Sequence, residues 1–313
     1  MSDDPRLRDL IEYVPWPWDT SFDPFRGARS VVVLVGFPFD EGVRRNGGIG
    51  GANRGPEAFR AVVKKIGSLD NPELDISLSG IRVIDAGDVD PSLELEKAHT
   101  ELATMVDGLI RLNCIPFVIG GGNDQSYANV SGLMSALPGK EYAVINVDAH
   151  LDVRPRKEGK IHSGSPFREM LEDSRFKGSF VEFAAHGSQC SRIHADYVRS
   201  KGGKILWFER DLDYGDKCLE HLRVLFKEFS DRIVFFSFDI DSICSSFCPG
   251  VSCPAMYGLS SALAFKMCFM AGSNPHVRIM DVSELNPFVE SVRTPRLVAF
   301  MLYHFLLGVA TRP

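Results

Sequence analysis

The chain has 313 residues, 35 Lys plus Arg against 41 Asp plus Glu, and a net charge of -6. An apolar content of 44% is enough for a sizeable core and excludes a disordered chain, and the acidic balance argues against a nucleic-acid partner. No apolar run reaches bilayer length, the opening MSDDPRLRDL is polar, and seven cysteines is an odd count, so a soluble cytoplasmic protein with reduced thiols and no membrane partner is expected.

Residues 1–29 read as an irregular N-terminal arm docked by Trp16 and Trp18. A strand buried on both faces follows at 30–36, then a long Gly- and Arg-rich loop over 37–55 and a helix at 56–65 with Pro in its first turn. The alternation predicts strands at 81–85, 115–119, 142–147, 179–185, 204–208, 233–238 and 277–282. Helices are predicted at 91–112, 128–137, 219–228, 260–271 and 295–309. Continuous apolar strands alternating with helices describe a parallel sheet covered on both faces. No linker, repeat or composition break divides the chain, so residues 1–313 read as one domain.

Three predicted strands run into polar clusters: Gly120-Gly121-Gly122-Asn123-Asp124, Asp148-Ala149-His150-Leu151-Asp152 and Asp239-Ile240-Asp241. Ligands of open parallel sheets bind beyond the carboxyl ends of the strands, so these clusters should meet. In extended chain, i and i+2 side chains share a side, which predicts that Asp148, His150, Asp152, Asp239 and Asp241 converge. Clustered carboxylates need cations to share a small site. Oxygen-rich ligation with one imidazole suits Mn2+ better than structural zinc, and bridging carboxylates suit two ions. A single such motif more often caps a turn; two of them, each after a buried strand, favour metal.

The segments Asn146-Val147-Asp148-Ala149-His150-Leu151-Asp152 and Ser237-Phe238-Asp239-Ile240-Asp241 resemble the signature of the ureohydrolases, the family of arginase, agmatinase and formimidoylglutamase. The resemblance extends to Gly42-Val43-Arg44-Arg45-Asn46-Gly47-Gly48, to Gly55-Pro56-Glu57 and to Glu284-Leu285-Asn286-Pro287, and so spans nearly the whole chain. It implies an α/β fold, an arginase/deacetylase-like three-layer αβα sandwich with a mostly parallel, about eight-stranded sheet. It also implies a binuclear manganese site. There Asp148 and Asp239 would bridge, Asp152 would bind the first ion, and His150 and Asp241 the second. The family's remaining histidine ligand is Asn123 here, so the first ion should be held more weakly. Ureohydrolases often form trimers or hexamers, which makes a homo-oligomer the expectation.

Within the family, the substrate side resembles formimidoylglutamase. Arg154 lies two residues beyond Asp152, and arginases carry Asn there. An Arg fork suits a carboxylate and repels a cationic agmatine tail. Ser163 in His162-Ser163-Gly164 replaces the arginase proton-shuttle histidine. The implied reaction is hydrolysis of N-formimino-L-glutamate to L-glutamate and formamide, by manganese-bound hydroxide attacking the formimino carbon. Asp241 would relay a proton, Glu284 would pair with the formimino nitrogens, and Arg154 with Ser163 would bind the substrate. His162 and His186 are candidates for the leaving-group acid. Cys244, Cys248 and Cys253 follow Asp241 closely enough for thiol oxidation to bear on activity. Two alternatives stand beside this reading: another ureohydrolase, such as an arginase or a guanidino-acid hydrolase, and a metal-poor, non-catalytic relative in which Asn123 has disabled the site.

Overall fold

A computed structural model describes residues 5–312; residues 1–4 of the expected arm, and residue 313 of the expected single domain, lie outside the described residues. The apolar runs form strands β2 (Ser30–Phe37), β3 (Ile81–Asp88), β4 (Ile115–Gly120), β5 (Tyr142–Val147), β6 (Gly178–Ala185), β7 (Lys204–Trp207), β8 (Ile233–Asp239) and β9 (Val277–Ser283). With β1 (Ile11–Tyr13) they make one nine-stranded sheet, ordered β1-β3-β2-β4-β9-β8-β5-β6-β7. Every strand pair in it is parallel. β9 is the last strand in the chain, yet it sits at the centre, between β4 and β8.

Alternation along each strand feeds two apolar layers. Val32 and Leu34 join one core with Leu297, Leu302 and Phe305 of the helix Arg293–Ala310. Val31, Val33 and Val35 join the other with Leu102, Val106 and Leu109 of the helix Leu95–Arg111. The three-layer arrangement expected from the sequence is therefore present. The register matters for function: Phe238 pairs with Val147, so Asp239 and Asp148 leave the sheet at the same level.

The structure corrects three sequence expectations. The arm is not wholly irregular: Ile11 pairs with Val83 at the β3 edge, which adds a ninth strand to the expected sheet of about eight. Three residues with an exposed Tyr13 carry no strand pattern of their own. The 37–55 loop contains the helix Glu41–Asn46 and a short 3-10 turn at Ala52–Arg54. Ion pairs Asp40–Arg44 and Glu41–Arg45 at i, i+4 support that helix, and flanking glycines hide it from a periodicity search. Helices at Pro166–Glu172 and Arg192–Ser200 were also not anticipated; the second buries only Ala195 and Val198, too little for an apolar pattern.

Glu290 clamps the start of the C-terminal helix, accepting the N–H groups of Val292, Arg293 and Thr294 and the Thr294 hydroxyl. Burial pushes its pKa up, but these bonds outweigh it and hold the carboxyl below the usual glutamate value. A depressed folded pKa stabilises above the unfolded value, and the benefit is lost as pH falls through the folded one. Glu290→Gln should therefore lower Tm by about 1–2 °C at pH 7, with the difference from wild type shrinking in thermal melts as pH falls below the free glutamate value and on through the lower folded one.

Candidate metal centre

The site lies beyond the carboxyl ends of four adjacent strands, β4, β9, β8 and β5. Each contributes through the residues that follow it. Asp148 and Asp239 both use one oxygen locally: Asp148 Oδ1 accepts the His150 N–H at 2.7 Å, and Asp239 Oδ1 accepts the Asp241 N–H at 3.0 Å. The i, i+2 spacing thus builds a side-chain turn in both segments. Asp241 sits in a single 3-10 turn, and Asp152 adopts a left-handed backbone at φ 41. The five side chains do converge, but through these turns rather than through the extended-strand alternation expected from spacing.

Potential ligand atoms of Asp148, His150 and Asp241 all lie within 4.8 Å of one another, as do those of Asp148, Asp152 and Asp239. Asp148 belongs to both groups. His150 Nδ1 is 3.3 Å from Asp148 Oδ1 and 3.2 Å from Asp241 Oδ2. Burial lowers the imidazole pKa, but the charge of Asp241 and the bond to Asp148 outweigh it and raise the value well above the usual one. Burial raises Asp148, yet bonding and charge from His150 bring it below the ordinary aspartate value. The other acids are pushed up. Asp152 rises to about 8, through burial and then the charge of Asp148. Asp239 and Glu284 are well above normal, and Asp241 is raised, in each case chiefly by burial.

So many acids around one imidazole is an arrangement that needs more positive charge. Asp241 Oδ1 and Glu284 Oε2 are buried and have no hydrogen-bond partner among the described residues. Unpaired buried carboxylate oxygens are costly, and a divalent cation removes the cost. Oxygen donors with one imidazole fit Mn2+.

Asn123 stands beside the cluster. Its Nδ2 donates to Asp152 Oδ2 at 2.8 Å and lies 3.5 Å from Asp148 Oδ2. Its Oδ1 accepts the hydroxyls of Ser126 and Ser283. The amide oxygen faces the carboxylates only after a half-turn, which exchanges two accepted bonds for two donated ones to the same hydroxyls. Glu284, at φ 68, accepts the Asn123 N–H at 3.2 Å and donates its own N–H to Gly121 O. A Cβ on Gly121 would lie 1.7 Å from Phe39 O. Gly121→Ala should therefore cost about 3 kcal/mol, because a backbone neighbour cannot yield, and should lower Tm by several degrees in a thermal melt.

A cavity of about 260 Å³ has His150, Asp152, Asp239, Asp241, Glu284, Arg154 and Ser163 in its wall, with Asp148 buried behind it. Asn46, Ile49 and Ser252 also line it, none of them singled out from the sequence beyond the run that contains Asn46. Arg44 is exposed beside Asp40, while Arg45 is held by Glu41 and Glu96; neither lines the cavity.

The two candidate histidines sit outside the cavity wall. His162 Nε2 contacts Pro155 O at 3.0 Å and its Nδ1 accepts the Gly164 N–H, so the ring braces its own loop; burial first lowers its pKa. His186 is fully buried, stacked 4.5 Å from Tyr257, and burial lowers its pKa to about 4. Cys253 lines the cavity, Cys248 is buried, Cys244 is half-buried, and all three are free thiols.

Comparison with known proteins agrees with this geometry. The arginase family model matches residues 30–308. A formimidoylglutamase from Rhodococcus jostii is 31% identical over 300 residues, covering 92% of this chain and 90% of that one. A crystal structure of Trypanosoma cruzi formiminoglutamase with Mn2+ is 47% identical, with a TM-score of 0.87 over 99% of this chain and 100% of that one. An arginase superfamily protein from the same organism is 46% identical, with a TM-score of 0.88 and full coverage of both chains. With the family model matched from β2 to the C-terminal helix, the chain belongs to the arginase family.

Proposed function

We propose that this protein is a manganese-dependent formimidoylglutamase, hydrolysing N-formimino-L-glutamate to L-glutamate and formamide. The observation that carries this reading is the make-up of the cavity wall, where clustered acids and His150 share one small space with the donors of Arg154 and Ser163. At about 260 Å³ it lies below the ~300–1,000 Å³ of drug-sized pockets, as suits a small substrate. The similar formimidoylglutamase from Rhodococcus jostii and the Trypanosoma cruzi formiminoglutamase solved with Mn2+ support it.

Asp148, Asp152, His150, Asp239 and Asp241 would hold the metal, with Asp148 and Asp239 bridging two ions and Asn123 at the weaker of the two positions. Bound there, Mn2+ supplies Lewis acidity and a water acidified toward neutral pH. Glu284 pairs with the formimino nitrogens and orients their carbon toward the metal. Asp241, whose Oδ1 has no hydrogen-bond partner among the described residues, accepts and relays a proton. Arg154 and Ser163 hold a substrate carboxylate. This reading takes residues 1–313 as one catalytic domain in the cytoplasm; the continuous nine-stranded sheet and the free thiols are its support.

The test pairs metal content with product. Protein incubated with Mn2+ and desalted is analysed for metal, and glutamate release from N-formimino-L-glutamate is followed beside arginine and agmatine. Bound manganese with release from the first substrate alone is expected. Hydrolysis of arginine or agmatine instead would replace the substrate assignment, and no metal with no turnover would overturn the enzyme reading.

A further inference from the structure

We propose that Asn46 is a positioning residue that turns Arg154 and Ser163 into a fixed pair of donors, and thereby sets the requirement for a substrate carboxylate. The inference rests on the formimidoylglutamase reading and deepens it. Asn46 ends the helix Glu41–Asn46, and Gly47, at φ 89, turns the chain away behind it.

Both ends of the Asn46 amide are used. Its Oδ1 accepts from Arg154 Nη1 at 2.9 Å, and its Nδ2 donates to Ser163 Oγ at 3.1 Å. A guanidinium has donors only, so the amide cannot be reversed without setting N–H against N–H. Arg154 therefore fixes the sense of the amide, and the amide makes Ser163 Oγ an acceptor. The Ser163 hydroxyl proton is left over, with no acceptor among the described residues. So is most of the Arg154 fork, which no acid pairs among the described residues. Both residues line the cavity. Between them they present unused donors to the cavity, which selects for an anion at this part of the wall.

The frame around this pair is stiff. Ser163 N donates to Gly42 O, Arg154 N to Gly164 O, and Lys157 Nζ to Arg45 O. The arrangement also needs a bare backbone at Gly164, where a Cβ would lie 3.0 Å from both Arg154 Cδ and Asn46 Nδ2. Pre-orienting two donors removes rotamer freedom before the substrate arrives, which strengthens binding without touching the reacting carbon.

Steady-state kinetics of Asn46→Ala and Asn46→Asp test this, using N-formimino-L-glutamate and an N-alkylformamidine that lacks carboxylates. Asn46→Ala should raise KM for the first substrate about 10-fold and leave kcat within about 2-fold. Its kcat/KM for the alkylformamidine should not change. Asn46→Asp keeps the size but accepts from Ser163 as well as Arg154 and adds a negative charge, so its KM should rise further. If the alanine variant does not fold, the isosteric variant, checked by its thermal transition, carries the test. Equal losses on both substrates, or an unchanged KM for N-formimino-L-glutamate, would overturn the proposal alone. A wild-type protein that does not turn over N-formimino-L-glutamate would overturn the functional reading, and this inference with it.

Discussion

Asp148→Asn is expected to strip the protein of bound manganese and to lower turnover by on the order of 100-fold or more. Asp148 is the one side chain in both groups of clustered ligand atoms, so the change affects both. Replacing even the outer partners of metal ligands costs about 10–100-fold in affinity or activity, and a shared ligand should cost at least as much. The substitution is isosteric, and an amide oxygen can still accept the His150 N–H that closes the local turn. Metal analysis after desalting, beside glutamate release on the same sample, reads the result. Wild-type manganese content in this variant would remove Asp148 from the ligand set.

Arg154→Met should raise KM for N-formimino-L-glutamate by about 10- to 100-fold, since a hydrogen-bonded charge contributes about 1.5–3 kcal/mol. Arg154 belongs to neither group of clustered ligand atoms, so manganese content should not change. Arg154→Lys should fall between, because a point charge keeps the attraction but loses the planar fork. Initial rates over a range of substrate concentrations separate the cases. A fall in kcat with KM unchanged would place Arg154 outside substrate binding and in the chemical step.

Much of the fold was legible because buried parallel strands are written as unbroken runs, such as Val31 to Val35, and their helices as amphipathic stretches. The convergence of the acids was legible too, although its geometric cause was not. The spacing of Asp148 with His150, and of Asp239 with Asp241, reflects carboxylates that accept the N–H two residues on, a local bond that alternation does not represent. Elements that depend on a distant partner stayed hidden. Ile11–Tyr13 becomes a strand only because β3 offers an open edge. The part played by Asn46 depends on meeting residues more than a hundred positions away, in a stretch that reads as a glycine-rich loop.

The central position of β9 has a consequence for how the chain matures. Until residues 277–283 emerge, β1 to β4 and β5 to β8 are two separate four-stranded blocks, each ending in an open edge, at β4 and at β8. The acids from Asp148 to Asp241 all belong to the later block, whereas Asn123 belongs to the earlier one and Glu284 follows the strand that joins them. A nascent chain stalled before β9 therefore carries most of the proposed metal ligands but no finished cavity, and exposes two sticky edges to neighbouring chains. Insertion of a single late strand closes both edges and completes the site in one step.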